Sequence, residues 1–174
     1  MLTRQLGKLL PVLCLWLPLA TLSAADDCRE TNKTGDRFDL NEDGTVTDIE
    51  SGLTWMRCLA GQVWNQNACR GTAERVSWSH ALTYTTKFNE LSGFAGQHDW
   101  RPPRLNELAL LADRRCRTPR IDLAYFPATP AAGFWTTDSV PTQAGKYYAL
   151  SFGREGVLQS EQHEKHYLRL VRGR

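Results

Sequence analysis

Hydrophobic and polar residues alternate beyond residue 36 in a pattern that predicts a β-hairpin. The two strand-like runs are residues 37–40 and 45–49, and Asp43-Gly44 lies in the polar turn between them. An Asp-Gly pair between two alternating runs is typical of a tight hairpin turn. A third run follows at residues 53–56. Further strand-like runs, near the end of the chain, are residues 133–137, 147–152, 156–158 and 167–171.

Two stretches in the middle of the chain have helical spacing. Ser77 is a good N-cap for the first, and Gly93 supplies its C-terminal stop. The second begins at Pro103, which suits a first helical turn, and its apolar stripe is Leu105, Leu108, Leu111 and Ala112. The polar residues 59–76 are predicted to form a loop. Two helices flanked by short antiparallel strands predict an α+β domain.

The first 25 residues have the layout of a secretory signal peptide. Arg4 and Lys8 precede an apolar run at residues 9–22, and Ser-Ala-Ala follows at 23–25. The apolar run is shorter than the roughly 20 residues that span a membrane. We therefore expect cleavage after Ala25, export from the cytoplasm, and no transmembrane segment in the mature chain. Residues 26–36 are expected to be a polar N-terminal segment, and residues 37–174 the folded domain.

Cleavage would remove Cys14 and leave an even set of cysteines in an oxidising compartment, which predicts two disulfides. Four cysteines allow three pairings. We favour Cys58–Cys69, which closes a short loop, together with Cys28–Cys116. A zinc site is the alternative, but the spacings do not match a zinc finger or ribbon.

Charge is distributed unevenly along the chain. The formal net charge is +2, which argues against a dedicated nucleic-acid binder. Acidic residues concentrate in residues 26–50, whereas the rest of the domain is basic. The densest basic stretch contains Arg114, Arg115, Arg117 and Arg120. It is either a solvated face or a polyanion site at the end of the second helix, because guanidinium groups pair bidentately with anionic oxygens.

Several separated motifs come in a fixed order. They are Asp-Gly-Thr-Val-Thr-Asp at 43–48, Gly-Leu-Thr-Trp-Met-Arg-Cys at 52–58, Trp-Arg-x-Pro at 100–103 and Tyr-x-Arg-Leu-Val-Arg-Gly at 167–173. In them the chain resembles the family named for the C-terminal domain of the Legionella collagen-like protein, a domain of unknown function. The resemblance implies a C-type-lectin-like fold and a secreted or surface module. Because the eponymous adhesin binds sulfated glycosaminoglycans, it also implies an anionic glycan as partner.

Individual aromatic and charged residues suggest further roles. Trp64 lies in the loop closed by Cys58–Cys69 and is the best candidate for stacking on a sugar. Arg101 is expected to be a buried structural cation, with Glu107 bound to it or to a backbone donor. His163 and His166 are expected in a solvated turn. Core packing is the expected role of four tryptophans, Trp55, Trp78, Trp100 and Trp135.

A calcium-loop pattern overlaps the predicted hairpin. Asp39, Asn41, Asp43 and Glu50 match the EF-hand spacing, with Gly44 at the sharp turn. A true EF-hand has a helix on each side, whereas strand-like residues precede this segment and Ser51-Gly52 follows it. We therefore expect a hairpin and no cofactor, and we keep calcium as the alternative.

The sequence contains no nucleophile elbow, no zinc-protease motif and no glycine-rich phosphate loop. We therefore expect a non-enzymatic binding or adhesion module, exported to the periplasm or beyond the cell, whose partner is an anionic glycan. The first alternative is a structural component of the envelope or a surface appendage that binds a cell-envelope protein. The second is an extracytoplasmic enzyme with a site that carries no known motif.

Overall fold

A computed structural model describes residues 37–173 of the chain. The structure is mostly β, with 32% strand and 14% helix. The strands are β1 Phe38–Leu40, β2 Thr45–Asp48, β3 Leu53–Met56, β4 Val63–Asn65, β5 Ala68–Arg70, β6 Arg75–Val76, β7 Gly133–Ser139, β8 Lys146–Ser151, β9 Val157–Glu161, β10 His166–Tyr167 and β11 Val171–Arg172. The helices are α1 Trp78–Leu91 and α2 Leu105–Ala109.

The described strands form two sheets and one separate hairpin. The first sheet is antiparallel, in the order β1-β2-β3-β11. The second has the order β6-β10-β7-β8-β9, and β10 runs parallel to β7. Strands β4 and β5 pair only with each other. This hairpin is closed by a disulfide between Cys58 and Cys69, the pairing favoured from the spacing.

The predicted N-terminal strands are present. Strand β1 pairs with β2 across the turn that contains Gly44, and β2 pairs with β3. Buried Asp48 fixes the far end of the hairpin, because its carboxylate accepts hydrogen bonds from the Arg37 guanidinium and the Ser51 hydroxyl. These polar contacts compensate the burial of a carboxylate.

The single strand predicted for residues 167–171 is instead two strands in different sheets. Strand β10 belongs to the second sheet and β11 to the first. Between them the carbonyls of Leu168 and Leu170 accept hydrogen bonds from Ala60 and Met56. The chain therefore crosses from one sheet to the other through buried residues, and the uninterrupted apolar pattern conceals the break.

The expectation of an α+β, C-type-lectin-like domain is wrong. Helix α1 begins after Ser77, whose hydroxyl accepts from His80 N–H, as predicted. Helix α2, however, has only five residues, because Leu111 and Ala112 turn into i→i−3 hydrogen bonds. The polar stretch 59–76, predicted to be a loop, contains β4, β5 and β6. Helix was thus overestimated and strand underestimated.

Two apolar clusters form the core. Trp55, Phe134 and Phe152 are fully buried in the first, and Trp100 and Trp135 are buried in the second. Trp78 is half-buried at the start of α1, where its ring stacks on Tyr147 and its indole N–H donates to the Thr136 carbonyl. Three of the four tryptophans assigned to the core are therefore fully enclosed.

Candidate functional site

Residues 113–120, which we call the arginine loop, form a closed backbone structure. The Asp113 N–H donates to the Arg120 carbonyl at 3.0 Å and closes the base of the loop. The Cys116 N–H donates to the Asp113 carbonyl at 3.2 Å. Finally, the Arg120 N–H donates to the Phe152 carbonyl at 2.7 Å, directly after β8. The loop is therefore fixed to the second sheet at its base.

Cys116 lies inside the arginine loop and is 3% exposed. It is disulfide-bonded, which restrains the loop between its two ends. The partner predicted for it, Cys28, lies outside the described residues, as do the signal peptide and the polar segment 26–36. The Cys28–Cys116 pairing and the cleavage after Ala25 therefore stay predictions.

All four arginines of the loop are exposed, but they are not equivalent. Arg115 is held by Asp113, with 2.7 Å between Nη2 and Oδ2, and this hydrogen bond lowers the pKa of the Asp113 carboxyl. Within residues 37–173, no ion pair joins Arg114, Arg117 or Arg120 to a carboxylate. Within the described part of the chain, these three guanidinium groups are therefore exposed and have no carboxylate partner.

The position of these arginines differs from the sequence prediction. They were expected at the end of the second helix, where the helix dipole favours cations. Helix α2 ends at Ala109, five positions before Arg114. The dipole therefore gives no structural reason for the arginines, because its effect falls off within the last turn.

Trp64 is less exposed than the sequence suggested, and its role as a stacking platform stays a prediction. It lies on β4 and is half-buried. The Arg57 guanidinium lies 4.4 Å from its ring centroid, a cation–π contact, and a side chain at Gly44 would collide with the ring. In the described part of the chain its contacts are therefore within the fold and do not join it to the arginine loop.

The EF-hand candidates are not brought together. The Asn41 amide donates to the hydroxyls of Thr45 and Thr47. Asp43 accepts from the N–H and hydroxyl of Thr45. Asp39 lies on β1, and Glu50 lies beyond the far end of β2, 3.4 Å from Arg37. Among the described residues, no group of three or more His, Cys, Asp or Glu side chains could hold a metal ion.

Two further arginines are buried without a carboxylate partner in the described part of the chain. Arg57 is 7% exposed and donates to the Tyr125 and Ala124 carbonyls at 2.9 and 2.8 Å. Arg169 is 0% exposed and donates from Nη1 to the Met56 and Arg57 carbonyls, at 2.8 and 2.7 Å. Its Nη2 donates to the Thr129 hydroxyl at 2.6 Å.

Burial changes the chemistry of both groups. Desolvation lowers the pKa of Arg57, and it lowers the pKa of Arg169 to about 9. Because a pKa of about 9 lies above neutral pH, the Arg169 side chain remains protonated there. Arg57 donates to the carbonyls of residues 124 and 125, whereas Arg169 donates to the carbonyls of Met56 and Arg57 and to the Thr129 hydroxyl. The two side chains therefore connect separate parts of the fold. In the sequence, Arg57 and Arg169 are visible only as members of the ordered motifs at 52–58 and 167–173, and neither was assigned a role.

Arg101 and Glu107 form the expected pair, but the Arg101 side chain is 33% exposed and so is not the buried cation that the sequence suggested. The two guanidinium nitrogens donate to the two carboxylate oxygens at 2.8 and 2.7 Å. Glu107 also accepts from the N–H of the N-cap residue Arg104, which gives this backbone donor a partner at the start of α2. The pair lowers the pKa of Glu107 against the opposing effect of burial. Its oxygens are thus used within the fold.

His166 is not in the solvated turn predicted for it. It lies on β10 and is 7% exposed, with Nε2 2.7 Å from the Ser160 hydroxyl and its ring against Trp135. Desolvation lowers its pKa. Ser160 is equally buried, at 3% exposure. A serine and a histidine in contact can form part of a nucleophilic site, but here both are enclosed in packed structure.

Within residues 37–173, the geometry defines a disulfide-stabilised, mostly β domain that carries an exposed cationic loop. The sequence profile of the Lcl C-terminal domain family matches residues 44–172. The chain therefore belongs to this family, the one named for the C-terminal domain of the Legionella collagen-like protein. A comparison with curated proteins found no match. No helix among residues 37–173 combines the length and the apolar character required to cross a membrane.

Proposed function

We propose that the protein is an exported, non-enzymatic binding module and that its arginine loop binds anionic glycans. The observation that carries the proposal is the combination of exposure and fixation in this loop. Four arginines and one aspartate give residues 113–120 a formal charge of +3. Arg114, Arg117 and Arg120 are exposed and have no ion pair with a described carboxylate.

The fixed backbone favours binding for an entropic reason. Ordering a flexible side chain on binding costs about 0.5–1.5 kcal/mol, and a flexible loop would add its own cost. The hydrogen bonds of Asp113, Cys116 and Arg120 and the disulfide at Cys116 already hold the backbone. An anionic ligand therefore has to order only the arginine side chains, whose planar forks match sulfate and carboxylate oxygens.

Export is supported by two independent features. The disulfides fit an oxidising compartment outside the cytoplasm, and the first 25 residues have a signal-peptide layout. We propose release to the periplasm or the cell surface. N-terminal sequencing of protein from the periplasmic and extracellular fractions tests this proposal. A mature chain that starts at Asp26 supports it, and a cytoplasmic chain that retains Met1 contradicts it.

Retention on a heparin column tests the binding function. The test variant replaces Arg114, Arg117 and Arg120 by Ser. The control replaces Arg70, Lys87 and Lys165 by Ser, which removes the same charge from equally exposed positions on β5, on α1 and before β10. Arg115 stays unchanged in both because Asp113 holds it.

We expect wild type and control to elute at similar added salt and the test variant to elute without it. Screening over about 8–10 Å at physiological ionic strength accounts for elution by salt. If wild type is not retained in low salt, or if test and control variants lose retention equally, the loop is only a solvated face.

A further inference from the structure

A small pocket lies between the start of β1, the end of α2 and the base of the arginine loop. Its lining includes Arg37, Leu111, Asp113, Asp122 and Tyr125. Its volume is about 220 Å³, which is below the roughly 300–1,000 Å³ of pockets that take a small organic ligand. The pocket therefore suits a few side chains of a polypeptide better than a separate small molecule.

The first described residues fix one side of this pocket. The ring centroid of Phe38 lies 5.1 Å from that of Tyr125 and 5.6 Å from that of Phe126. The Arg37 guanidinium donates to the Leu110 carbonyl at 3.0 Å, which joins β1 to the end of α2. The chain that precedes β1 is therefore attached at the rim of the pocket.

A second attachment point lies in the arginine loop. Cys116 is disulfide-bonded. Because Cys58 and Cys69 are bonded to each other, its partner is one of the two other cysteines, Cys14 and Cys28. Cys14 belongs to the stretch with the signal-peptide layout, so the mature chain leaves Cys28. A disulfide holds its two Cα atoms about 4.4–6.8 Å apart.

Residues 29–36 connect these two attachment points. Cys28 precedes Arg37 by nine positions, so the connection spans at most about 30 Å. The Cys116 N–H donates to the Asp113 carbonyl at 3.2 Å, and Asp113 lines the pocket. A connection of this length therefore begins and ends at walls of the same pocket.

The chemistry of the far wall fits a polar segment. Asp122 is 8% exposed, and its carboxylate accepts from the Ala124 N–H at 2.8 Å. Asp122 and Tyr125 each take part in a further hydrogen-bonding, electrostatic or ring interaction. A buried carboxylate requires several donors, and residues 29–36 offer backbone N–H groups together with the cations Arg29 and Lys33.

We propose that residues 29–36 lie in this pocket as an internal strap, held by Cys28–Cys116 at one end and by β1 at the other. The pocket is then a docking surface for the protein's own N-terminal segment, and the folded domain extends to Cys28. The strap also ties the arginine loop to the first sheet. This inference is independent of the proposed glycan binding, because it concerns contacts within the chain.

Hydrogen–deuterium exchange of the mature chain tests the strap. The test variant is C28S/C116S, and the matched control is C58S/C69S, which removes the other disulfide. In wild type and control we expect the amides of residues 30–36 to exchange at least about tenfold more slowly than in an unfolded chain, because docked backbone is protected. In the test variant we expect exchange at the unfolded rate, with reduced protection of residues 110–113 on the pocket wall.

Wild type alone can overturn the proposal, whether or not the test variant folds. If its residues 30–36 exchange at the unfolded rate, or if peptide mapping without reductant finds a free Cys28 thiol, the strap is wrong. If a folded test variant keeps the wild-type protection, the disulfide does not hold the segment and the proposed attachment is wrong. None of these measurements contains heparin, so failure of the strap and failure of glycan binding are observed separately.

Discussion

The molecule uses arginine in two opposite environments. In the arginine loop the side chains of Arg114, Arg117 and Arg120 are exposed, and among the described residues no carboxylate pairs with them. In the interior Arg57 and Arg169 are buried and donate to backbone carbonyls. The same residue type is thus exposed on the surface in one place and supplies donors for the fold in the other.

The difference shows that exposure and hydrogen-bond partners decide what a cation does. A buried guanidinium loses its hydration, a cost reflected in the lowered pKa of Arg169. Three hydrogen bonds, to two backbone carbonyls and the Thr129 hydroxyl, offset part of that cost. An exposed guanidinium keeps its hydration and contributes little to stability. The comparison therefore predicts separate effects on unfolding and on binding.

The largest expected effect is on stability, from Arg169→Met. This change removes three hydrogen bonds from a charged donor, each worth roughly 1.5–3 kcal/mol, and relieves part of the desolvation cost. We expect the free energy of unfolding in urea to fall by about 4 kcal/mol. Arg172→Met is the matched control, because Arg172 pairs with the exposed Asp99 at the surface and should cost at most about 1 kcal/mol. If R169M is as stable as wild type, the desolvation cost of the buried charge equals the stabilisation by its hydrogen bonds, and the prediction is wrong.

The next effect comes from the disulfide that closes the β4–β5 hairpin. Replacing Cys58 and Cys69 by Ser removes a cross-link with a sequence separation of 11. The chain-entropy model gives a loss of about 3 kcal/mol. Because the hairpin holds Trp64 over Arg57, tryptophan fluorescence should change in the folded variant while heparin retention stays at the wild-type level. Loss of retention in a folded variant would join the hairpin to the binding surface and contradict the separation drawn here.

A smaller effect is the pH dependence of stability from His166. Its folded pKa is lowered below the ordinary 6.5, mainly by desolvation, with Glu164 opposing and Arg75 reinforcing the shift. The unfolded chain therefore binds the proton more readily, so this contribution to stability is complete above pH 6.5 and decreases as the pH falls below it. Urea unfolding at pH 7.5 and pH 5.5 should show the decrease in wild type, and His166→Gln should reduce it. An equal decrease in both proteins would assign the effect to other groups.

Local pattern predicted much of the secondary structure but not its assembly. The β1–β2 hairpin, strand β3 and helix α1 depend on neighbouring residues such as Gly44 and Ser77, so they could be predicted. The division of the last strand between two sheets depends on Met56 and Ala60, more than 100 positions earlier in the chain. The hairpin in residues 59–76 has largely exposed strands without an apolar period. Neither feature leaves a local signal.

The candidate site, too, could be predicted from the sequence only in part. The density of arginines at 114–120 is visible in the sequence, and all four side chains are exposed in the structure. The hydrogen bond that fixes the arginine loop to the second sheet joins positions 120 and 152, and the burial of Arg57 and Arg169 depends on remote segments. Sequence alone therefore identifies a basic stretch but does not separate cations that can meet a ligand from those that hold the fold together.

The smallest expected effect on stability belongs to the arginine loop, and it allows one measurement to test the division between the two sets of arginines. Thermal melting is recorded for wild type, R169M and R114S/R117S/R120S in low salt, with and without long heparin chains. Ligand that binds only the folded state raises the melting temperature, by the equivalent of about 2.7 kcal/mol at 100 times Kd. We predict that R169M melts lower but keeps the heparin-induced rise, whereas the loop variant melts like wild type and shows no rise. A loop variant that is stabilised by heparin as much as wild type would contradict the account.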